Sequence, residues 1–377
     1  MLNWRLLAIP ASIVPLLIMF LFTRASPSDV LAVGLIPFIA SVASVISKIM
    51  LQALRFKYFI TEFIGHDISS TGKIISARLA GEFVTQTTPS FVGGEIVRIA
   101  FLTKNGVPAG KAAWVTTMEI IVDVFVGTML AFIAGAVAIY NGGYFIGISI
   151  VLVAIPTLTF WLLLVIFSAK RNLHLPFFST KILRRFIAKE KADQMINSAN
   201  IAIGDVCKMS RENFNSVRAV KIFAIGLAIT FVAFLLQGVS FMILANSVGS
   251  RIGLFESLLA TSASTALSTL PVTIGGSGLA ELGIWAYISN LNGIPSLKDV
   301  VNDSQLSVII AWRIASYHIP LIIMWIALMK LTIGKGSAAR NAKLSSDSFI
   351  ADEYNNASEA TSNKKKIIDE HEDNNNK

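Results

Sequence analysis

Long apolar runs separated by short polar ones dominate this chain. A hydrocarbon core about 30 Å thick takes roughly 20 apolar residues per helix. On that measure the pattern predicts spans at Leu6–Phe22, Val30–Leu51, Ala113–Tyr140, Tyr144–Phe167, Lys221–Ala245 and Ser304–Leu331. Two further apolar stretches, Lys73–Leu102 and Leu254–Asn292, are each cut near the middle. Pro89 is followed by Gly93 and Gly94, and Pro271 by Gly275 and Gly276, so proline, three residues and a glycine pair recur in both. Proline removes a backbone donor and clashes with the preceding turn, while glycine opens geometries closed to other residues. Each stretch therefore divides into pieces of about 10 to 17 residues, which suit re-entrant segments better than full spans. The expected fold class is all-α: a polytopic membrane helix bundle with two inverted repeats, each containing a broken re-entrant helical hairpin.

Composition agrees with that class and narrows the function. The 377 residues are 54% hydrophobic with mean hydropathy +0.66, which sets the chain apart from soluble domains. Its first apolar run lacks a small-residue cleavage site and is read as a retained helix rather than a signal peptide. The net charge of +9 comes from cations that flank apolar spans, so anionic lipid headgroups fit better than nucleic acid. The single cysteine, Cys207, cannot form an intrachain disulfide. Four scattered histidines offer no metal-ligand spacing, and there is no P-loop. No cofactor, metal or ATPase activity is therefore expected.

Cations in the loops orient the spans. The segment Lys170–Lys221 carries the densest run of Lys and Arg and is placed in the cytoplasm; Arg55, Lys57, Lys73, Arg98, Lys104 and Lys111 fall on the same side. Asn141–Gly143, Asn246–Gly253 and Asn290–Asp303 carry one cation or none and face outward. With six spans both termini are cytoplasmic, in the cell (cytoplasmic) membrane. The two broken stretches then enter from opposite sides, so the units Val30–Tyr140 and Lys221–Leu331 are related by inversion, as in alternating-access transporters. The transmembrane domain is set at residues 1–331. Within residues 168–220, Thr180 is placed to cap an amphipathic helix with Ile182, Leu183, Phe186 and Ile187 on one face and Arg184, Arg185, Lys189 and Lys191 on the other. The polar segment 345–377 is read as a disordered cytoplasmic tail.

The breaks resemble the lysylphosphatidylglycerol synthase transmembrane-region family, whose members include flippase-like and UPF0104-type membrane proteins. The likeness lies in P-S-F-V-G-G-E-I-V-R, Pro89 to Arg98, with Glu119 and Asp123 in the next span, and in P-V-T-I-G-G-S-G-L-A-E, Pro271 to Glu281, with Arg313 in the last. It covers roughly Leu6 to Leu331. The sequence departs from the family pattern at Gln86, Thr87 and Thr88, where an Asn is usual, and at Ile120, where an Arg commonly follows the acid. The resemblance implies movement of a lipid between leaflets. The aminoacyltransferase domain of some members finds no counterpart after Leu331.

A charge in mid-membrane costs about 2.5–3.5 kcal/mol on insertion scales, so each needs a reason. Arg78, Glu82, Glu95, Arg98, Glu119, Asp123, Glu281 and Arg313 all fall in apolar segments. Glu119 and Asp123 share a helix face and repel unless a cation lies between them, for which Arg98 and Arg313 are the candidates. These groups either line a headgroup cavity or lock the two units together as ion pairs. Glu95 and Glu281 follow the glycines at a helix start, where they either cap free N–H groups or leave them open to a lipid phosphate. Gly93, Gly94, Gly275, Gly276 and Gly278 permit that approach or serve tight helix packing. Arg78 is expected to pair with Glu82, Lys48 to snorkel and His318 to be a hydrogen-bonded core residue. With Pro89 and Pro271 these form the candidate substrate site. The expected partner is an anionic phospholipid or a polyprenyl phosphate lipid, with no catalytic residue. An embedded transferase using Glu119 or Asp123 as base, and a non-transporting scaffold, are the alternatives. The oligomeric state is not legible.

Overall fold

The computed structural model describes residues 31–65, 68–88, 93–170, 180–181, 189–214, 216–270, 276, 278–291 and 304–331. All regular structure among them is helical. In chain order the helices are α1 (Leu35–Ile64), α2 (Thr71–Thr87), α3 (Gly94–Lys104), α4 (Ala109–Tyr140), α5 (Tyr144–Lys170), α6 (Lys189–Phe214), α7 (Val217–Ser247), α8 (Leu254–Ser268) and α9 (Leu279–Leu291). The last begins as α10 (Ser304–Arg313), passes through a π-helical turn (Ile314–His318) and runs on to Leu331. Contacts divide the chain after Leu328, and the fold described is that of the unit Met1–Leu328. Among the described residues, five helices are long and apolar enough to cross a membrane: α1, α4, α5, α7 and the segment Leu306–Leu331. The expected spans meet them with shifted ends, while Leu6–Phe22 lies outside the described residues, as do residues 182–188 and the tail.

The largest shift is in α1, expected to stop at Leu51 but extending to Ile64. Gly34 and Gly65 mark its ends, and the Gly65 N–H returns to the Thr61 carbonyl at 3.1 Å, a left-handed stop. Between Leu51 and Ile64 the charges of Arg55 and Lys57 are absorbed rather than exposed to a loop. Arg55 is fully buried against acids, and Lys57 Nζ donates to Thr71 Oγ1 at 2.7 Å.

Small residues let these helices approach closely, as packing between membrane helices requires. A Cβ on Gly135 of α4 would stand 3.0 Å from the Gly147 carbonyl of α5. On Gly226 of α7 it would stand 2.5 Å from the Phe59 ring. The α1–α7 seam is polar. Ser41 and Ser240 hydroxyls meet at 2.9 Å, Ser44 donates to the Leu236 carbonyl at 2.7 Å, and Lys48 donates to Gln237. As numbers rise along α1 they fall along α7, so the two run antiparallel. By contrast α5 leaves Leu152 and Phe160 exposed, as a lipid-facing helix should.

Most of the amphipathic helix read within 168–220 falls at residues 182–188, outside the described residues. The 26-residue α6 that follows packs on protein through Ala192, Ile196 and Cys207, all buried. The Asp205 side chain comes so near Gly110 that a Cβ there would meet it at 2.0 Å, and Ser168 and Ser210 hydroxyls pair at 3.0 Å.

Both predicted breaks are present. α2 stops at Thr87 and α3 starts at Gly94; α8 stops at Ser268 and α9 starts at Leu279. Within each pair the halves fold back on each other. A Cβ on Gly94 would meet the Gly81 carbonyl at 2.4 Å and Thr85 Oγ1 at 2.0 Å. One on Gly276, whose φ is +65°, would meet Ser268 Cβ at 2.3 Å. Pro89, Pro271 and Gly275 lie outside the described residues.

Candidate functional site

The ionisable side chains of the apolar segments converge on α4. Glu119, with no exposed surface, accepts from Arg78 Nε at 2.5 Å and from Arg98 Nη1 at 2.5 Å; Arg55 Nη2 stands 3.4 Å away. One turn on, Asp123 takes both Arg55 Nη atoms, at 2.6 and 2.7 Å. That fork geometry holds a carboxylate in register as well as in charge. Arg55 also donates to Thr230 of α7, and Arg78 to Glu82 one turn along α2. Gln86 Nε2 completes Glu82 at 3.2 Å. Five helices are joined through one buried cluster.

The cations of this cluster differ from those expected. Arg98 does meet Glu119, but Arg313 does not; Arg55 and Arg78 take its place. The Arg78–Glu82 pair forms as expected, yet Arg78 also reaches into the cluster. Arg55 escaped the sequence reading because a charge after an apolar run reads as the end of a span. The available signal was a polar stripe at helical spacing, Ser41, Ser44, Lys48, Gln52 and Arg55.

A second, smaller constellation surrounds the other break. Arg313 Nε lies 2.7 Å from Glu281 Oε1, and the guanidinium carbon stands 4.2 Å over the Tyr317 ring. Each break ends in the same capping device. Glu95 Oε2 accepts the Gly93 N–H at 2.8 Å, and Glu281 Oε2 accepts the Gly278 N–H at 2.7 Å. Each capping acid also meets an arginine, Arg98 at 3.5 Å and Arg313 respectively. The capping reading of Glu95 and Glu281 thus holds, and both helix starts are occupied by carboxylate rather than left open. His318, at the end of the π turn, sets Nδ1 3.3 Å from the Arg313 carbonyl.

Between the two breaks lies a cavity of about 330 Å³, lined from α1 to the last helix. Arg78, Glu82, Glu95, Arg98 and Asp123 border it from one side, Ser264, Thr265, Ala280 and Arg313 from the other. Lys48 borders it too, turned inward to Gln237 rather than snorkelling outward. The carboxylates show the larger edges: Asp123 is 29% exposed and Glu95 27%, whereas Arg78 and Arg98 are 5% exposed. Thr85 Oγ1, Trp312 Nε1 and Ser316 Oγ border the same space and are buried without a hydrogen-bond partner among the described residues. The cavity can therefore offer both charge signs and neutral donors to a polar group. No cluster of metal-ligating side chains occurs among the described residues.

The comparisons with known proteins bear on this arrangement. The family model for the lysylphosphatidylglycerol synthase TM region matches residues 7–323. A UPF0104 membrane protein of Archaeoglobus fulgidus is 24% identical over 275 residues, 71% of this chain and 78% of that protein. The match takes in both helix breaks and the charged cavity between them: the chain belongs to the lysylphosphatidylglycerol synthase transmembrane-region family.

Proposed function

We propose that the chain moves a lipid bearing a phosphate headgroup, either a phospholipid or a polyprenyl-phosphate-linked lipid, between the leaflets of the cell membrane. The observation that carries this reading is the cavity of about 330 Å³ set between two broken helices and bordered by charge, in a chain with five candidate spans. Charged groups inside a membrane mark a polar path, and paired interrupted helices mark a substrate site. On this reading a headgroup enters the cavity while its acyl chains stay in lipid, and no covalent step is assigned to Glu119 or Asp123.

In this mechanism the two broken pairs are re-entrant hairpins, and the units 30–140 and 221–331 are inverted repeats that rock against each other. The antiparallel α1–α7 seam supports the inversion, since these helices open the two units and meet along Ser41–Ser240, Lys48–Gln237 and Arg55–Thr230. The matched Glu95 and Glu281 caps support it again. Both termini are assigned to the cytoplasm on the distribution of cations.

The test is leaflet exchange. Purified protein reconstituted in vesicles carrying acyl-labelled phosphatidylglycerol should render the inner-leaflet label reducible from outside. Asp123→Asn, which alters an acid edge on the cavity, should slow the exchange. A parent protein that leaves the inner leaflet protected contradicts the reading.

A further inference from the structure

One chain of contacts joins the two breaks through the π-helical turn. It starts at the second break, where the Gly278 N–H donates to Glu281 Oε2 at 2.7 Å. Glu281 Oε1 meets Arg313 Nε at 2.7 Å, and Arg313 lies 4.2 Å over the Tyr317 ring. The Tyr317 hydroxyl then donates to the Gln86 carbonyl at 3.1 Å. Gln86 belongs to the last turn of α2, where the final carbonyls of a helix have no partner within it. A side chain 231 residues away supplies that partner, immediately before the first break. Tyr317 is 2% exposed, and with Gln86 and Arg313 it borders the central cavity.

The segment that carries Arg313 and Tyr317 includes a π turn, Ile314–His318. Within the turn the Ile319 N–H bonds to the Ile314 carbonyl, five residues back, in place of the four of an α-helix. Single π turns hold one extra residue and concentrate at functional sites. Moving that residue through the helix rotates the side chains on either side by roughly 100° relative to each other. Such a step would alter the contact of Arg313 with the Tyr317 ring, through which the holds on the two breaks are joined.

We propose that Tyr317 is a positioning residue for lipid movement, tying the two helix breaks into one moving unit with the π turn as its joint. This rests on the transport reading. It adds that the breaks move together because the Tyr317 hydroxyl is fastened to the end of α2 while its ring carries the arginine that holds α9.

Tyr317→Phe tests the link most narrowly, because it keeps the ring beneath Arg313 and removes only the hydroxyl. The full chain in vesicles with acyl-labelled phosphatidylglycerol should exchange label roughly fivefold more slowly, the scale of one lost hydrogen bond. Binding of dihexanoyl phosphatidylglycerol to the purified protein, followed by native mass spectrometry, should stay at the parent level. Tyr317→Leu, which also removes the ring, should slow exchange further. Parent-rate exchange by Tyr317→Phe overturns the assignment, and so does a loss of binding that accounts for the slower rate. If the parent moves no lipid at all, the transport reading fails, and a thermal double-mutant cycle of Tyr317→Phe with Glu281→Gln decides the link. Non-additive shifts in Tm support one connected chain, and additive shifts overturn it.

Discussion

The two broken helix pairs share a plan and differ in how they are held. Around α2 and α3, Arg55, Arg78 and Arg98 surround Glu119, and Asp123 and Glu82 close the cluster. Around α8 and α9, among the described residues, Arg313 meets Glu281. The middle of α8, residues 260–266, is small and hydroxylated. Thr261, Ser262 and Thr265 return their hydroxyls to carbonyls of their own helix, and Ser264 donates to the Ala280 carbonyl of α9 at 2.7 Å. A multiply paired buried cluster has few ways to rearrange without stranding a charge, whereas hydroxyls satisfied within their own helix let a surface slide. The comparison teaches that the first pair is anchored by a dense ion cluster and the second chiefly by small hydroxylated residues.

The sharpest way to break this contrast is at Glu119. Glu119→Ala takes one carboxylate from three buried arginines at once and should cost about 3–5 kcal/mol, seen as a large fall in Tm or loss of folded protein. A melting curve like that of the parent would remove the tighter anchoring of the first pair from the account. Gly94→Ala should come next. Its methyl must enter the space between the Gly81 carbonyl and Thr85, an overpacking that costs roughly 1–3 kcal/mol or more, read from the same melts. Glu281→Gln, at the second pair, weakens a single charge-assisted contact and should cost about 1.5 kcal/mol, at most half the effect of Glu119→Ala. An equal loss at Glu281 and Glu119 would erase the difference between the two pairs. Arg218→Gln, which breaks a pair with Glu62 at a site where Arg218 is 72% exposed, should change stability by under about 1 kcal/mol and sets the floor.

Both breaks were legible because proline and glycine act locally, and Pro89 with Gly93–Gly94 says where a helix cannot continue without knowledge of the fold. The acids were legible for a related reason: Glu95, Glu119, Asp123 and Glu281 stand out against apolar neighbours. Their partners were not. Arg55 seemed to end a span because its compensation lies 68 residues away on Asp123. Arg313 seemed a partner for Glu119, yet it holds Glu281, since helix packing rather than chain order selects among candidate cations. Nothing in the local sequence marks the Tyr317–Gln86 contact, where a ring is paired with a backbone carbonyl of no distinctive residue type. The α6 helix was not read from the sequence. Its apolar positions suit lipid or protein equally, and the close approach of Asp205 to Gly110 shows that it meets protein.

The most direct measurement fills the cavity and follows lipid exchange. Thr128 borders the cavity from α4, away from the ion cluster, so Thr128→Trp should leave melting close to the parent while occupying the space a headgroup needs. In vesicles with acyl-labelled phosphatidylglycerol, the account predicts that the parent exposes inner-leaflet label to an external reductant and that folded Thr128→Trp protein does not. Exchange by the filled variant at the parent's rate would contradict it, because the lipid would then be crossing by a route other than the space between the two breaks.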